Sequence, residues 1–221
     1  MVAESENDVE ALMLQAKDHS TSRQYKAALK PIDKALKIKP GDPDIIYQKA
    51  IALSSLGRHN QALGQYMKLI EKNPDDSNIL NRIGGELSKL GQYKQAIEYF
   101  DDALALKRGD PDIMYSKTIA LSSLGEHREA LACCKKALGK KPEDPGILGR
   151  MGIELSKLNR RNEALEYHDR ALDKLPGDPV ILYNKAVDFS ALEMHKEAYE
   201  CCKEALKKSP DDPDILNRAA L

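Results

Sequence analysis

The chain has 221 residues, 31% of them charged, with 34 basic against 35 acidic side chains and a formal net charge of −1. That balance supplies none of the long-range attraction that nucleic acid or an anionic membrane surface demands, and no apolar run approaches the ~20 residues that span a bilayer. Hydrophobic residues make up 42% of the chain and recur periodically, which excludes overall disorder.

In chain order, the first stretch, MVAESENDVE, is acidic and polar. It lacks the basic start and apolar run of a signal peptide, and residues 1–8 read as a flexible tail. From residue 9 the sequence repeats at a step of 34. Asp42, Asp76, Asp110, Asp144, Asp178 and Asp212 form one column, and Ala28, Ala62, Ala96, Ala130, Ala164 and Ala198 another. A third holds Pro40, Pro74, Pro142, Pro176 and Pro210, with Arg108 as its exception. Such a step marks one small unit stacked on itself. It sets units at 9–42, 43–76, 77–110, 111–144, 145–178 and 179–212, and a partial seventh over 213–221.

Within 43–76, Asp42 is a preferred N-cap and Pro43 suits the first helical position. Ile46, Ala50 and Leu53 then follow at helical spacing, and Gly57 stops the helix by taking positive φ. A second stripe, Ala62, Tyr66, Leu69 and Ile70, runs to Pro74, which cannot continue a helix. The unit is therefore two antiparallel helices of about 14 residues with a tight turn between them. Ala50 and Ala62 let the pair approach, and Tyr66 fills the gap to the next unit. The first unit departs most, because Pro31 falls inside its second helix and predicts a kink.

A longer period lies inside the short one. ALSSLG occurs at 52–57 and 120–125, ELSKL at 86–90 and 154–158, and GDPDI at 41–45 and 109–113. The duplicated block is thus 68 residues, and contacts built by it should recur at that distance.

The cysteines come as Cys133–Cys134 and Cys201–Cys202, two units apart. A helical layer about 10 Å thick separates the pairs, beyond the ~7 Å reach of a disulfide. Four free thiols fit a reducing compartment, the cytoplasm. His59, His127 and His195 share a column, and two of them precede a cysteine pair, which invites a zinc reading. Yet His127 and Cys134 lie about 10 Å apart along one helix, too far for bonds of about 2.0–2.3 Å to a single metal. Packing is the expected role for the histidines, and Cys134 and Cys202 take the large-residue slot held elsewhere by Tyr66 and Phe100. No metal or cofactor is expected. Glu86 and Glu154 recur as identical acids, which reads as a solvated or groove-lining role rather than an acid–base pair. No glycine-rich phosphate loop follows a strand, and an enzyme is not expected.

The 34-residue pattern resembles the tetratricopeptide repeat (TPR). Residues 77–110 carry it most fully, with Leu80, Gly84, Leu87, Gly91, Tyr93, Ala96, Phe100 and Ala103. The departures are the missing tryptophan, replaced by Ile46, Leu80, Met114, Leu148 and Leu182, and the turn glycine, replaced by Arg23, Asn159 and Glu193. The resemblance implies an all-α fold, a right-handed superhelical solenoid of antiparallel helix pairs. It also implies a concave groove lined by the first helix of each unit, holding a peptide or protein ligand. On this chain the groove residues are Tyr47, Gln48, Ile51, Asn81, Arg82, Lys89, Tyr115, Ile119, Arg150, Lys157, Tyr183 and Asn184. Tyrosine and arginine are typical interface anchors, and the arginine fork suits carboxylates. An acidic segment gripped by Arg82 and Arg150 is therefore the expected ligand.

The family's clamp for acidic chaperone tails is matched only in part. Arg82, Arg150 and Arg218 fit its final arginine and Asn184 its middle asparagine, but Gly149, Ile153 and Asp214 stand where a lysine, an asparagine and a second lysine belong. Leu216, Ala219, Ala220 and Leu221 leave the final helix apolar. That suggests either a cut-off longer array or a face that packs on another copy, a homo-oligomer. RNA binding, as in the related 35-residue repeats, is weighed against by the strict 34-residue step and the balanced charge.

Overall fold

The computed structural model describes residues 6–220. Each aspartate of the 34-residue column opens a helix. Asp42, Asp76, Asp110, Asp144, Asp178 and Asp212 all sit in extended backbone, and each carboxylate accepts one or two of the first free N–H groups. A cap of this kind stabilises a helix by about 1 kcal/mol. The turn inside each hairpin is equally regular. Gly57, Gly91 and Gly125 stand there at φ of +71° to +88°. Arg23, Asn159 and Glu193 hold the same left-handed backbone at +57° to +62° without being glycine.

The chain divides into two compact units, Met1–Arg108 and Gly109–Leu221. The boundary falls at Arg108, the non-proline member of its column. The first unit holds α1 (Glu6–Thr21), α2 (Tyr25–Ile38), α3 (Pro43–Ser55), α4 (His59–Lys72), α5 (Ser77–Lys89) and α6 (Tyr93–Leu106). The second holds α7 (Pro111–Leu124), α8 (His127–Leu138), α9 (Pro145–Lys157), α10 (Arg161–Lys174), α11 (Pro179–Ala191), α12 (His195–Leu206) and α13 (Pro213–Ala219). Inside each unit every helix packs on the one before and the one after it. α1 already begins at Glu6, so residues 6–8 form its first turn instead of the expected tail, and Lys39 pairs with Glu6 at 2.7 Å. Residues 1–5 of that tail lie outside the described residues. α2 runs from Tyr25 to Ile38 with Pro31 buried inside it.

Helices of a hairpin meet across the alanine column. Ala28, Ala62, Ala96, Ala130 and Ala164 have no exposed surface, and Ala198 is 4% exposed. The large-residue slot lies opposite a small residue on the preceding helix. Tyr66, Phe100, Cys134, His168 and Cys202 are all buried there. Phe100 lies so close to Gly84 that a Cβ added to the glycine would sit 2.6 Å from the ring, whereas one added to the neighbouring Gly85 would meet nothing within 4 Å. Two adjacent substitutions should therefore have opposite signs. Gly84→Ala should destabilise by about 1–3 kcal/mol through overpacking. Gly85→Ala should stabilise by roughly 0.5–1 kcal/mol, because a helix interior disfavours glycine. Urea unfolding of both variants checks the pair.

Candidate functional site

In the first unit, the exposed side of α3 and α5 carries half of the expected groove residues. Tyr47, Asn81 and Arg82 come together around a hollow of about 550 Å³, whose rim also carries Asp44, Lys72 and Asp76. Tyr47 stacks edge-on against the buried Tyr66, with ring centroids 6.0 Å apart. Arg82 is exposed, and among the described residues no carboxylate pairs with it. Gln48 faces a second hollow of about 790 Å³ that α3 forms with Val9, Met13 and Leu14 of α1. Ile51 is half-buried on α3. Lys89 folds back on its own unit, 2.9 Å from the Ser54 hydroxyl and 3.0 Å from Glu86.

The second unit repeats the tyrosine and the arginine one 68-residue block later, around a hollow lined in part by α10 and α11 where the first is lined in part by α4. Tyr115, Arg150 and Asn184 border a hollow of about 200 Å³. Lys157 and Asn184 border another of about 320 Å³ together with Arg161 and Asp188. Ile119 and Tyr183 are half-buried on α7 and α11, outside these two hollows. Arg150 differs from its counterpart Arg82. Its guanidinium lies 3.6 Å from Oε1 of the buried Glu154, so its charge is already opposed.

Glu86 and Glu154 are not the solvated residues expected from their recurrence, being 3% and 0% exposed. Glu86 accepts hydrogen bonds from Ser54 at 2.6 Å and Lys89 at 3.0 Å, and lies 2.8 Å from Nδ1 of His59. Glu154 lies 3.0 Å from Nδ1 of His127. Each histidine belongs to one hairpin and each carboxylate to the next, so the two pairs latch consecutive hairpins. This replaces plain packing as the role of His59 and His127. The pairs were visible as two columns 27 residues apart that change together: His59 with Glu86, Tyr93 with Ala120, His127 with Glu154, Arg161 with Asp188.

Burial pushes the Glu86 carboxyl up, but hydrogen bonds from Ser54, His59 and Lys89, with the Lys89 charge, outweigh it and hold the group below its ordinary value. Burial pushes the Cys134 thiol up to about 12 and raises Cys201 and Cys202 as well, which makes them poor nucleophiles at neutral pH. All four cysteines are free. Among the described residues no group of three or more His, Cys, Asp or Glu is placed to hold a metal ion, and no helix is long and apolar enough to cross a membrane.

A carboxylate held below its unfolded value stabilises the fold above roughly pH 4, and that contribution is lost as the pH falls through the lower folded value. Glu86→Gln should therefore cost about 2 kcal/mol at pH 7, in the range for hydrogen bonds to a charged group. The difference from the parent chain should shrink as the pH drops below roughly 4. Denaturant unfolding of both chains from pH 7 to pH 3 checks the trend.

The sequence matches the family described as "Psidin, N-terminal TPR repeats region" twice in tandem, over residues 18–121 and 120–219. No curated protein sequence matches the chain. Among solved structures it resembles PilW, a type IV pilus biogenesis factor, with a TM-score of 0.84 and 20% identity over 96% of this chain and 99% of that one. It also resembles pilF of Pseudomonas aeruginosa, with a TM-score of 0.77 and 17% identity over 97% of each chain. A third resemblance is to YrrB, described as a TPR protein with an unusual peptide-binding site, with a TM-score of 0.64 and 24% identity over 86% of this chain and 98% of that one. At these identities the structures share the fold, an all-α solenoid of antiparallel helix pairs. With its 34-residue columns and two family matches that together span residues 18–219, the chain belongs to the tetratricopeptide repeat family, whose fold is generally a protein-interaction module and typically non-catalytic.

Proposed function

We propose that this chain is a scaffold that holds an extended peptide or protein segment against the first helices of its hairpins, by static complementarity and without covalent chemistry. The observation that carries the reading is the recurrence of a tyrosine and an arginine around a hollow in each unit, Tyr47 with Arg82 and Tyr115 with Arg150. Tyrosine and arginine give large contact area at modest entropic cost and are over-represented among interface anchors. The acidic preference rests on Arg82, which is exposed and makes no ion pair among the described residues although Asp44 and Asp76 share its rim, whereas Arg150 lies 3.6 Å from Glu154. A net charge of −1 weighs against a nucleic-acid ligand. The free thiols favour the cytoplasm as the site of action.

A second reading, self-association through α13, is favoured by Leu216, a large apolar side chain that is 46% exposed. Sedimentation over a hundredfold range of concentration separates the two, since a monomeric adaptor stays monomeric throughout.

Peptides selected from a random library against the full chain test the main reading. Arg82→Glu should weaken capture of the acidic peptides by about tenfold or more, the loss of roughly 1.4 kcal/mol or more. Tyr47→Ala and Tyr115→Ala should each weaken peptides bound at their own unit. Selected peptides that bind all three variants as tightly as the parent chain would place the ligand elsewhere.

A further inference from the structure

The second helices of the first three hairpins, α2, α4 and α6, are each 14 residues long and keep the 34-residue register. Lys30, Gly64 and Glu98 therefore hold one place on the three helices, and Lys34, Lys68 and Asp102 hold the place one turn further on. All six are exposed. Tyr99 of α6 reaches the Met67 sulfur of α4 at 3.8 Å, which ties the neighbouring helices to one side of the unit.

The charges on that side are sorted by helix. α2 exposes Lys26, Lys30, Lys34 and Lys37, and none of them makes an ion pair among the described residues. The acid on α2, Asp33, is taken by Lys49 at 2.7 Å. α6 has the opposite sign, with Glu98 and Asp102 exposed and likewise without an ion pair among the described residues. Lys30 and Glu98, and Lys34 and Asp102, are one 68-residue block apart, so both places changed sign between the duplicated blocks. In the second unit the first of these columns runs Ala132, Glu166, Glu200 and loses its cation. Between the two charged helices, α4 carries Gly64 in its interior, where helix stability disfavours glycine. Packing does not demand it, because a Cβ there would meet nothing within 4 Å.

We propose that this face of the first unit meets the same face of a second copy of the chain, about a two-fold axis running along α4. Rotation about that axis lays α2 of one copy over α6 of the other, with Lys30 and Lys34 opposite Glu98 and Asp102 twice in each dimer. An axis across the helices would instead set α2 on α2 and lysine against lysine, so the charges select the first arrangement. Gly64 meets its own copy at the axis and lets the two α4 backbones approach. Lys68 meets its own copy beside the axis, with Glu71 a turn away to offset it. A second copy fits better than a foreign partner because one face holds both signs and they match under a single rotation. The net charge of −1 leaves no long-range repulsion between copies. Three helices about 10 Å wide and about 21 Å long present roughly 600 Å² per copy, the size of a weak association. Exposed ion pairs are screened by salt, so the dimer is a low-salt species. The contact leaves the first helices, with Tyr47 and Arg82, free for a ligand, and α13 takes no part in it.

The test is sedimentation velocity of the full chain over a hundredfold range of concentration, at about 0.02 M and about 0.5 M salt. A dimer should form at low salt and weaken about tenfold or more at high salt. Lys30→Glu with Lys34→Glu makes both outer helices acidic, and Glu98→Lys with Asp102→Lys makes both basic. Each double variant should lose the dimer by about tenfold or more in Kd, while an equimolar mixture of the two should restore it and so show that both are folded. Gly64→Gln should weaken it to a similar degree, and Leu216→Lys should leave it unchanged. The concentration series for α13 is read at the higher salt, where this contact is absent. A parent chain that stays monomeric up to about 1 mM at low salt, dimers that survive either reversal or Gly64→Gln, or loss of the dimer on Leu216→Lys would overturn the proposal. So would a mixture that stays monomeric, or one that grows beyond two chains.

Discussion

The closeness of paired helices across the alanine column governs the rest of the structure. Residues with a single methyl group, wholly or almost wholly buried, let each pair pack tightly. The apolar stripe that remains on the hairpin can then be covered only by the next hairpin. A 34-residue unit therefore has no stable existence alone, and stability becomes a sum over neighbours. The aspartate caps fix where the first helix of each hairpin after the first starts, and the left-handed turns fix how the chain reverses into the second.

The residue facing the slot varies with the slot's occupant. Glycine faces the large rings of Phe100 and His168, while alanine faces Cys202 at position 186. In two hairpins a polar occupant of the slot has a polar neighbour: the Cys134 thiol lies 3.7 Å from the buried Thr118 hydroxyl, and His168 lies beside Asp188. The interior thus tolerates different occupants of one slot because the facing residue adjusts. This is how a duplicated block can diverge without losing its packing.

Much of this was legible in the residues themselves. Helix starts followed from the aspartate column and the hairpin turns from the glycines, because caps and positive φ are local requirements that one residue can reveal. Arg23, Asn159 and Glu193 show the limit of that logic. The backbone there keeps its left-handed conformation after the glycine is gone, since five other turns and the packing on both sides define it. The early start of α1 was hidden by its polar composition. The burial of Glu86 and Glu154 was hidden for a different reason. An isolated glutamate reads as solvated, and only its pairing with a histidine 27 residues earlier, in a different hairpin, supplies the partner that makes burial tolerable. Likewise Arg82 and Arg150 look equivalent by spacing, and only the fold reveals that one is exposed and the other held against a carboxylate.

The histidine–carboxylate latches have a further consequence for how the chain comes apart. Within the first unit, the α3–α4 hairpin is tied to α5 by Glu86, whereas the corresponding place at the preceding junction holds Ala52. Junctions of unequal strength make thermal fraying proceed in steps, with the alanine junction parting before the latched one. The smallest piece that detaches or zips up in the first unit is then a hairpin on one side of that seam, and the latched remainder behaves as a single cooperative block.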